Sequence, residues 1–341
     1  MRSSRLCRVG LGTALAFAFQ PLWALPALYH LTDLGPNSDA VSLSPAGKIA
    51  GTNSRHGGIN AAVWTHGKPH NRVNPFRASR GHGVNDAGVV VGEVDGLAFQ
   101  HAAVWHSADD LLDIGHLLGK GNSVATAINR IGDCTVDAVS AQGSTSYIIP
   151  GCAGAHPLIN IGSLAGRFTV TTAINAHKEV TGSSELSDGT LRAFLYSQGD
   201  MQDLRTLPGD TNSDGNAIND LGHVVGDSGT DPSHFRGFFY DGRTMTALEG
   251  FGGTQTLALG ISHHDVVVGM TDDALDQFHA FVIDEGVPGS RMVDLVTRLD
   301  ASGEGWTLDA AVAIDDAGRI LVRGNAPGDN APRSALLTPA D

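Results

Sequence analysis

Apolar residues along this chain fall in short runs of four or five, bounded by Gly, Asn and Asp. Runs of that length and boundary are strand signals, and no window of ten or more residues beyond the N-terminal stretch carries a helical period. The runs also recur in a fixed order. An apolar anchor is followed by Asn or Asp, a turn ending in Gly, and a β-branched run, as in Val84-Asn85-Asp86-Ala87-Gly88-Val89-Val90-Val91-Gly92. The order returns at Ile218-Asn219-Asp220-Leu221-Gly222 and at Ile314-Asp315-Asp316-Ala317-Gly318, with weaker copies beginning at Leu43, Ile128, Ile174 and Ile261. Successive anchors stand 41 to 53 residues apart, a period that marks a repeat architecture.

Each copy reads as four short strands. The first ends at the anchor, as in Asn216-Ala217-Ile218, and the Asn-Asp-x-Gly tetrad is a tight turn into a valine-rich second strand. The third is His101-Ala102-Ala103-Val104-Trp105, Arg192-Ala193-Phe194-Leu195-Tyr196, Arg236-Gly237-Phe238-Phe239-Tyr240 or His279-Ala280-Phe281-Val282-Ile283. The fourth is Leu111-Leu112-Asp113-Ile114, Met201-Gln202-Asp203-Leu204 or Met292-Val293-Asp294-Leu295. Four strands per repeat of about 44 residues, repeated seven times, predict an all-β fold, a seven-bladed β-propeller. The seventh copy stops after its third strand, Ser334-Ala335-Leu336-Leu337. Tyr29-His30-Leu31-Thr32-Asp33-Leu34-Gly35 matches the fourth-strand pattern of Leu112-Asp113-Ile114-Gly115. An N-terminal strand completing the last blade would close the ring and leave no open edge.

The first segment has a different character. Arg2, Arg5 and Arg8 precede an apolar stretch from Val9 to Phe19, and a small residue, Ala24, follows. This reads as a signal peptide over residues 1–24, with 25–341 as a single propeller domain. The apolar run is about half of the roughly 20 residues that a spanning helix needs, so no transmembrane span is expected after cleavage. Export to the periplasm or the extracellular space would leave Cys134 and Cys152 in an oxidising setting. They either bridge neighbouring strands or remain two separate buried thiols.

Composition narrows the function classes. With 41% apolar and 17% charged residues the chain buries a core and is not a disordered segment. Acidic residues outnumber basic ones 36 to 22, and the lysines are Lys48, Lys68, Lys120 and Lys178 alone. No basic run exists to neutralise phosphates, which argues against a nucleic-acid partner. A Gly-x-Ser-x-Gly elbow, His-Glu-x-x-His, Cys-x-x-Cys and a P-loop are all absent from the sequence.

His279-Ala280-Phe281 at the head of a third strand resembles the bacterial extracellular repeat family named HAF after those three residues. Arg192-Ala193-Phe194, Arg236-Gly237-Phe238 and His101-Ala102-Ala103 are variants of the same triplet. The passage from Asp203-Leu204 through Pro208-Gly209 to Ile218-Asn219-Asp220 is also similar to that family. The resemblance covers roughly residues 28 to 338, and the first and third copies depart from the pattern. It implies an exported protein and brings no catalytic residues with it.

Four groups of residues are candidates for chemistry. Asp210, Asn212 and Asp214, with Gly215 following, place oxygens at positions 1, 3 and 5 as in the opening of a calcium loop, although Leu221 stands where the bidentate Glu would be. The third-strand starts His101, Arg192, Arg236, His279 and Arg333 form either a rim for an anionic ligand or a set of donors tying each blade together. Strand alternation puts an acidic rim on the same side, with Glu93, Asp95, Glu185, Asp188, Asp227 and Asp231 among its members. His263-His264-Asp265 offers metal-type donors in consecutive positions, and Trp64 and Trp105 end third strands, for packing or sugar stacking.

The expected function is therefore a secreted or periplasmic binding propeller. It acts as a monomer on an extracellular glycan or protein and requires no cofactor, with calcium the one candidate. The alternative is a hydrolase or lyase acting on an extracellular polymer, which would need two carboxylates in unequal environments.

Overall fold

Short β-branched runs separated by tight turns pair most readily with their sequence neighbours, and the chain folds as a succession of antiparallel meanders. The computed structural model describes residues 28–340, apart from 55–57, 73–77, 120, 153–156, 232 and 285–289. The leader expected over 1–24 lies outside the described residues.

An N-terminal strand, β1 (Tyr29–Asp33), is followed by a sheet of β2 (Ser38–Leu43), β3 (Ile49–Asn53), β4 (Asn60–Thr65) and β5 (Lys68–Asn71). The next sheet holds β6 (Ser79–Val84), β7 (Val90–Asp95), β8 (Gln100–Trp105) and β9 (Leu111–Asp113). Then come β10 (Asn122–Ile128), β11 (Cys134–Ser140), β12 (Gly143–Ile149) and β13 (Ile159–Asn160). A fourth sheet holds β14 (Thr169–Ile174), β15 (Val180–Glu185), β16 (Leu191–Ser197) and β17 (Asp200–Arg205). Two further meanders are β18 (Asn212–Ile218), β19 (Val224–Asp231), β20 (His234–Tyr240), β21 (Met245–Ala247), and β22 (Gly252–Ile261), β23 (Val267–Asp273), β24 (Phe278–Ile283), β25 (Met292–Asp294). The chain ends with β26 (Thr307–Ile314), β27 (Ile320–Asn325) and β28 (Arg333–Pro339). β1 pairs antiparallel with β28, from Tyr29 opposite Pro339 to Asp33 opposite Ala335.

The fold is an all-β propeller, with one correction to the expected seven separate blades. Five sheets are four-stranded, and β18 to β25 form a single eight-stranded sheet. The cause is local. β21 is three residues long and covers β20 only at Phe238, Phe239 and Tyr240. The start of β20 is left open, and the ten-residue β22 reaches it in parallel at Phe235 opposite Gln255.

The first strand of each meander is longer than the apolar run announces, and each carries a bulge just before its anchor, as between Ala40 and Ser42 or Gly215 and Ala217. A bulge sharpens the local twist, which suits a strand at the axis of a ring. The apolar side chains pack as slabs between successive sheets rather than in one central core. Leu34, Ala40, Trp64 and Leu321 join the last sheet to the first, and Val268, Val282, Leu308 and Val322 join the sixth meander to the last. Cys134 and Cys152 are bonded, with Cα atoms 5.4 Å apart. Closing a loop of that length stabilises by about 3 kcal/mol in the chain-entropy account.

Adjacent meanders are tied by the turns themselves. In each clear turn the leading Asn side chain accepts from a backbone N–H four residues on, at 2.9 Å from Asp133 to Asn129 and from Glu179 to Asn175. In three of them the amide nitrogen also donates to the next meander: Asn129 to the Asn175 carbonyl at 2.9 Å, Asn175 to Asn219 at 2.9 Å and Asn219 to Ser262 at 3.0 Å. Where Asp315 replaces Asn and has no such donor, Arg319 bonds Asp315 and donates to the Pro45 carbonyl at 3.0 Å. Replacing Asn175 with Asp keeps the acceptor and removes the donor. Denaturant unfolding should show a loss of about 1–3 kcal/mol, and a loss within error would mean the inter-blade bond contributes nothing.

Candidate functional site

The seven anchors, Leu43, Val84, Ile128, Ile174, Ile218, Ile261 and Ile314, converge on the axis and line a cavity of about 200 Å³. The Asn-Asp-x-Gly turns surround its mouth. Their second residue is structural where it is Asp: Asp86, Asp220 and Asp316 accept at 2.8 Å from the backbone N–H of Ala46, Ala176 and His263 in the preceding turn. Arg130 meets Asp220 at 3.1 Å across this mouth. His263 lines it, while Asp265 is engaged by His223 at 2.8 Å and Asn219 at 2.7 Å. Among the described residues no group of three or more His, Cys, Asp and Glu is placed to hold a metal ion.

Further along the axis, the bulged residues Val41, His82, Thr126, Thr172, Leu259 and Val312 line a second cavity. Beyond them lies the opposite mouth, where the first strands begin and the second strands end. One arc there holds two groups of ion pairs. Arg323 faces Asp39 at 3.6 Å, and Arg80 meets Glu93 at 2.9 Å and Asp95 at 3.6 Å. His82 sits beside it, held below its ordinary pKa chiefly by burial, with Glu93 opposing that shift. Another arc holds two carboxylates directly opposite each other on paired strands, Asp214 on β18 and Asp227 on β19. Ser183 donates to Asp214, and Asn216 donates to Asp227 at 2.9 Å.

Burial pushes Asp227 up to about 6, the Asp214 charge adds to that, and the Asn216 bond partly offsets it. Asp137, on β11, is likewise pushed up to about 6 by burial, against hydrogen bonds from Ser146 and Thr171. Its carboxylate ties two meanders, accepting from the Thr171 N–H at 3.0 Å and the Thr171 hydroxyl at 2.9 Å.

The residues singled out from sequence fall in distinct settings. Asp210 accepts from Ser228 at 2.9 Å and pairs with Arg236 at 2.7 Å, Asn212 accepts from the Leu191 N–H at 2.9 Å, and Asp214 is taken by Ser183. The three oxygens of the expected calcium loop are thus bonded to separate neighbours, two of them from strand β18. The cations of the expected ligand rim are each engaged within the scaffold. His101 pairs with Asp113 at 2.8 Å and His279 with Asp294 at 3.0 Å, both fourth-strand carboxylates. Arg192 donates to the Thr211 carbonyl, and Arg236 to the Pro208 carbonyl at 2.9 Å. Arg333 meets Asp33 of β1 at 3.0 Å, so the closing strand repeats the bond that His101 and His279 make in their own sheets. Trp64 and Trp105 are 3% and 0% exposed, which removes sugar stacking and leaves packing.

Sequence reasoning missed a second set of ties. Serines five residues before the anchor accept from the third strand of the preceding meander: Ser38 from Ser334 at 3.1 Å, Ser79 from Ala61 at 3.0 Å, Ser123 from Ala102 at 2.9 Å and Ser213 from Ala193 at 2.9 Å. The signal was present as Ser or Thr at that spacing, with Thr169 and Thr256 continuing it.

No protein-family model matches the chain, and no curated protein matches it in sequence. Solved structures do. The β-propeller domain of the trilobed protease from Pyrococcus furiosus, which has an open velcro topology, is similar over 92% of this chain and 94% of its own, with 7% identity and a TM-score of 0.54. A prolyl endopeptidase is similar over 87% of this chain, with 9% identity and a TM-score of 0.55, and a puromycin hydrolase over 91%, with 10% identity and a TM-score of 0.54. The chain spans about half the length of these two enzymes, 47% and 54%. Identities this low show the β-propeller fold alone.

The raised carboxyls fix a sign for pH dependence. An unfolded aspartate releases its proton near 3.8, while Asp137 and Asp227 hold theirs to about 6 in the fold. The native state binds more protons across that window, so their contribution falls as pH rises through it. Asp137→Asn and Asp227→Asn together should flatten the fall in melting temperature between pH 4 and 6, removing about 1–2 kcal/mol of pH-dependent loss per site. An unchanged profile would place the protons elsewhere.

Proposed function

We propose that this is an exported binding propeller of the HAF-repeat type, seven-bladed with the eight-stranded sheet counted as two blades, whose monomer engages an extracellular glycan or protein. The observation that carries this reading is a division of labour. The turn Asn residues and the cations that open the third strands are committed to holding blades together. The loops between second and third strands differ in length and sequence from sheet to sheet and carry exposed side chains. A rigid ring with variable loops is suited to recognition. The His or Arg bond to a fourth-strand Asp gives the His-Ala-Phe triplet a physical role, which supports the family reading. Calcium at Asp210, Asn212 and Asp214 would require these side chains to exchange their present partners.

One observation favours the hydrolase or lyase reading. Asp214 and Asp227 are paired carboxylates at a channel mouth, and burial keeps Asp227 protonated to about pH 6, the asymmetry that an acid and its charged partner need. The chain from Leu25 onward is therefore tested on a glycan array, with calcium and with a chelator, and on soluble polysaccharides for turnover. Binding to a related set of glycans without turnover is the expected result, and its loss with the chelator would add calcium. Turnover abolished in Asp227→Asn would replace binding by catalysis.

A further inference from the structure

A buried carboxylate is tolerated when donors or a cation replace the water it loses. Among the described residues five aspartates are buried, and four of them have a donor at each carboxyl oxygen. Asp133 takes the Gly151 N–H at 2.9 Å on one oxygen and Lys178 at 3.4 Å on the other. Asp137 is held by the Thr171 N–H and hydroxyl, and Asp272 by the N–H groups of Thr254 and Gln255 at 3.1 and 2.7 Å. Asp315 is held by the Ala317 and Arg319 N–H groups and by the Arg319 side chain. Asp227, 6% exposed, is the exception. Asn216 donates to its Oδ1, and no hydrogen bond among the described residues reaches Oδ2. Neither Asp227 nor Asp214, directly opposite on the same face of the sheet, is ion-paired to a described Lys or Arg, and each charge opposes the other.

The channel next to this pair is apolar. Asn216 is the bulged residue of β18, and Asp214 stands two residues, about 7 Å of strand, nearer the mouth. In the other sheets the bulged level and the anchors line the axial cavity of about 200 Å³, with Val41, Ile128, Ile174, Leu259, Ile261 and Val312 among its walls. The hydroxyls at that level are committed. Thr126 bonds Thr135 and Thr171, both at 2.7 Å, and Thr172 donates to the Gly215 carbonyl at 2.6 Å. A cavity of this size takes one aromatic ring or a short branched chain. The arginines of the same mouth, Arg80 and Arg323, are engaged by Glu93 and Asp39.

We propose that the channel binds a small amphipathic amine, with its apolar body in the axial cavity and its ammonium at Asp214 and Asp227. This site goes beyond the loop-borne recognition proposed above and is separate from it. An ammonium brings three donors and a positive charge, so it can serve the open oxygen of Asp227 and the Asp214 carboxylate together. A neutral alcohol supplies one donor and leaves the charge unmatched, and an anion meets two carboxylates. A bare metal ion lacks a third ligand, since no group of three or more His, Cys, Asp and Glu is placed to hold one among the described residues. The body fills a space too small for a folded partner and gains from leaving water.

The test is titration calorimetry of the chain from Leu25 onward at neutral pH, with phenylethylamine as the probe. Phenylethanol lacks the charge, ethylamine lacks the ring and phenylacetate reverses the sign. Phenylethylamine should bind, the alcohol and ethylamine about tenfold more weakly, and phenylacetate not at all. Asp214→Asn and Asp227→Asn should each lower phenylethylamine affinity about tenfold and leave phenylethanol unchanged, a difference that a merely structural defect does not produce. Val41→Phe fills the cavity from an exposed wall position and should abolish binding of both ring compounds. Ile131→Ser, in an exposed turn, should change neither. Circular dichroism of each variant checks that the ring is formed. Equal affinity for ethylamine and phenylethylamine makes the contact a surface ion pair and overturns the proposal. Binding that survives Val41→Phe, or no phenylethylamine binding by the parent chain, also overturns it. Such a failure leaves the loop-borne reading standing, because the glycan array tests that reading separately.

Discussion

The structure is governed by crowding at the axis. Sheets arranged radially must narrow towards the channel, and there the backbones of successive meanders come into near contact. At Gly81 an added Cβ would press on the Gly51 carbonyl of the preceding sheet. Gly215 likewise abuts the backbone of Gly182, with the Thr181 hydroxyl closer still. Within a sheet the same crowding falls on the second strand, where a Cβ at Gly226 would collide with the Asp214 carbonyl across the bulge. Bulk appears one strand further out, where Phe194, Phe238 and Phe281 are fully buried. The recurring order of a small residue, a valine run closing on Gly, and then Ala-Phe is this radial gradient written along the chain.

A wedge of this kind buries polar backbone between sheets, and those groups need partners. Two bond systems supply them, one at each end of the first strand. At the turn end a single Asn amide accepts within its own turn and donates to the next. At the other end a serine hydroxyl accepts from the third strand of the preceding sheet. The last sheet shows that the requirement is physical and not a matter of residue identity. Asp315 keeps the acceptor, and Arg319 provides the missing donor. The closing strand obeys the same logic, since Asp33 meets Arg333 across the seam as Asp113 meets His101 within its sheet.

Much of the fold was legible because crowding acts on sequence directly: anchors, turns, third strands and the N-terminal closing strand are all local patterns. What escaped depends on register between distant segments. The fusion of two meanders needs the shortness of β21 and the length of β22 to be compared, and neither is visible in an apolar run. The alternate spacing of Asp210, Asn212 and Asp214 fits both a metal turn and one face of a strand. Residues 212–218 are β18, so Asn212 and Asp214 stand in strand alternation, which spacing alone does not reveal. The cationic third-strand starts were located correctly, but their carboxylate partners lie on fourth strands that register alone identifies. Asp137 carried no sequence signal, since its carboxyl is defined by burial between sheets.

These constraints also decide where function can reside. A residue that ties one sheet to the next cannot change partners without loosening the ring, which removes the turn mouth, the third-strand cations and the buried tryptophans from the free surface. The loops between second and third strands escape the constraint, because they lie beyond both bond systems and add nothing to the wedge. They are where length varies and where Leu97 and Leu275 project. A ring that spends its polar groups on closure leaves recognition to the loops it does not need for folding.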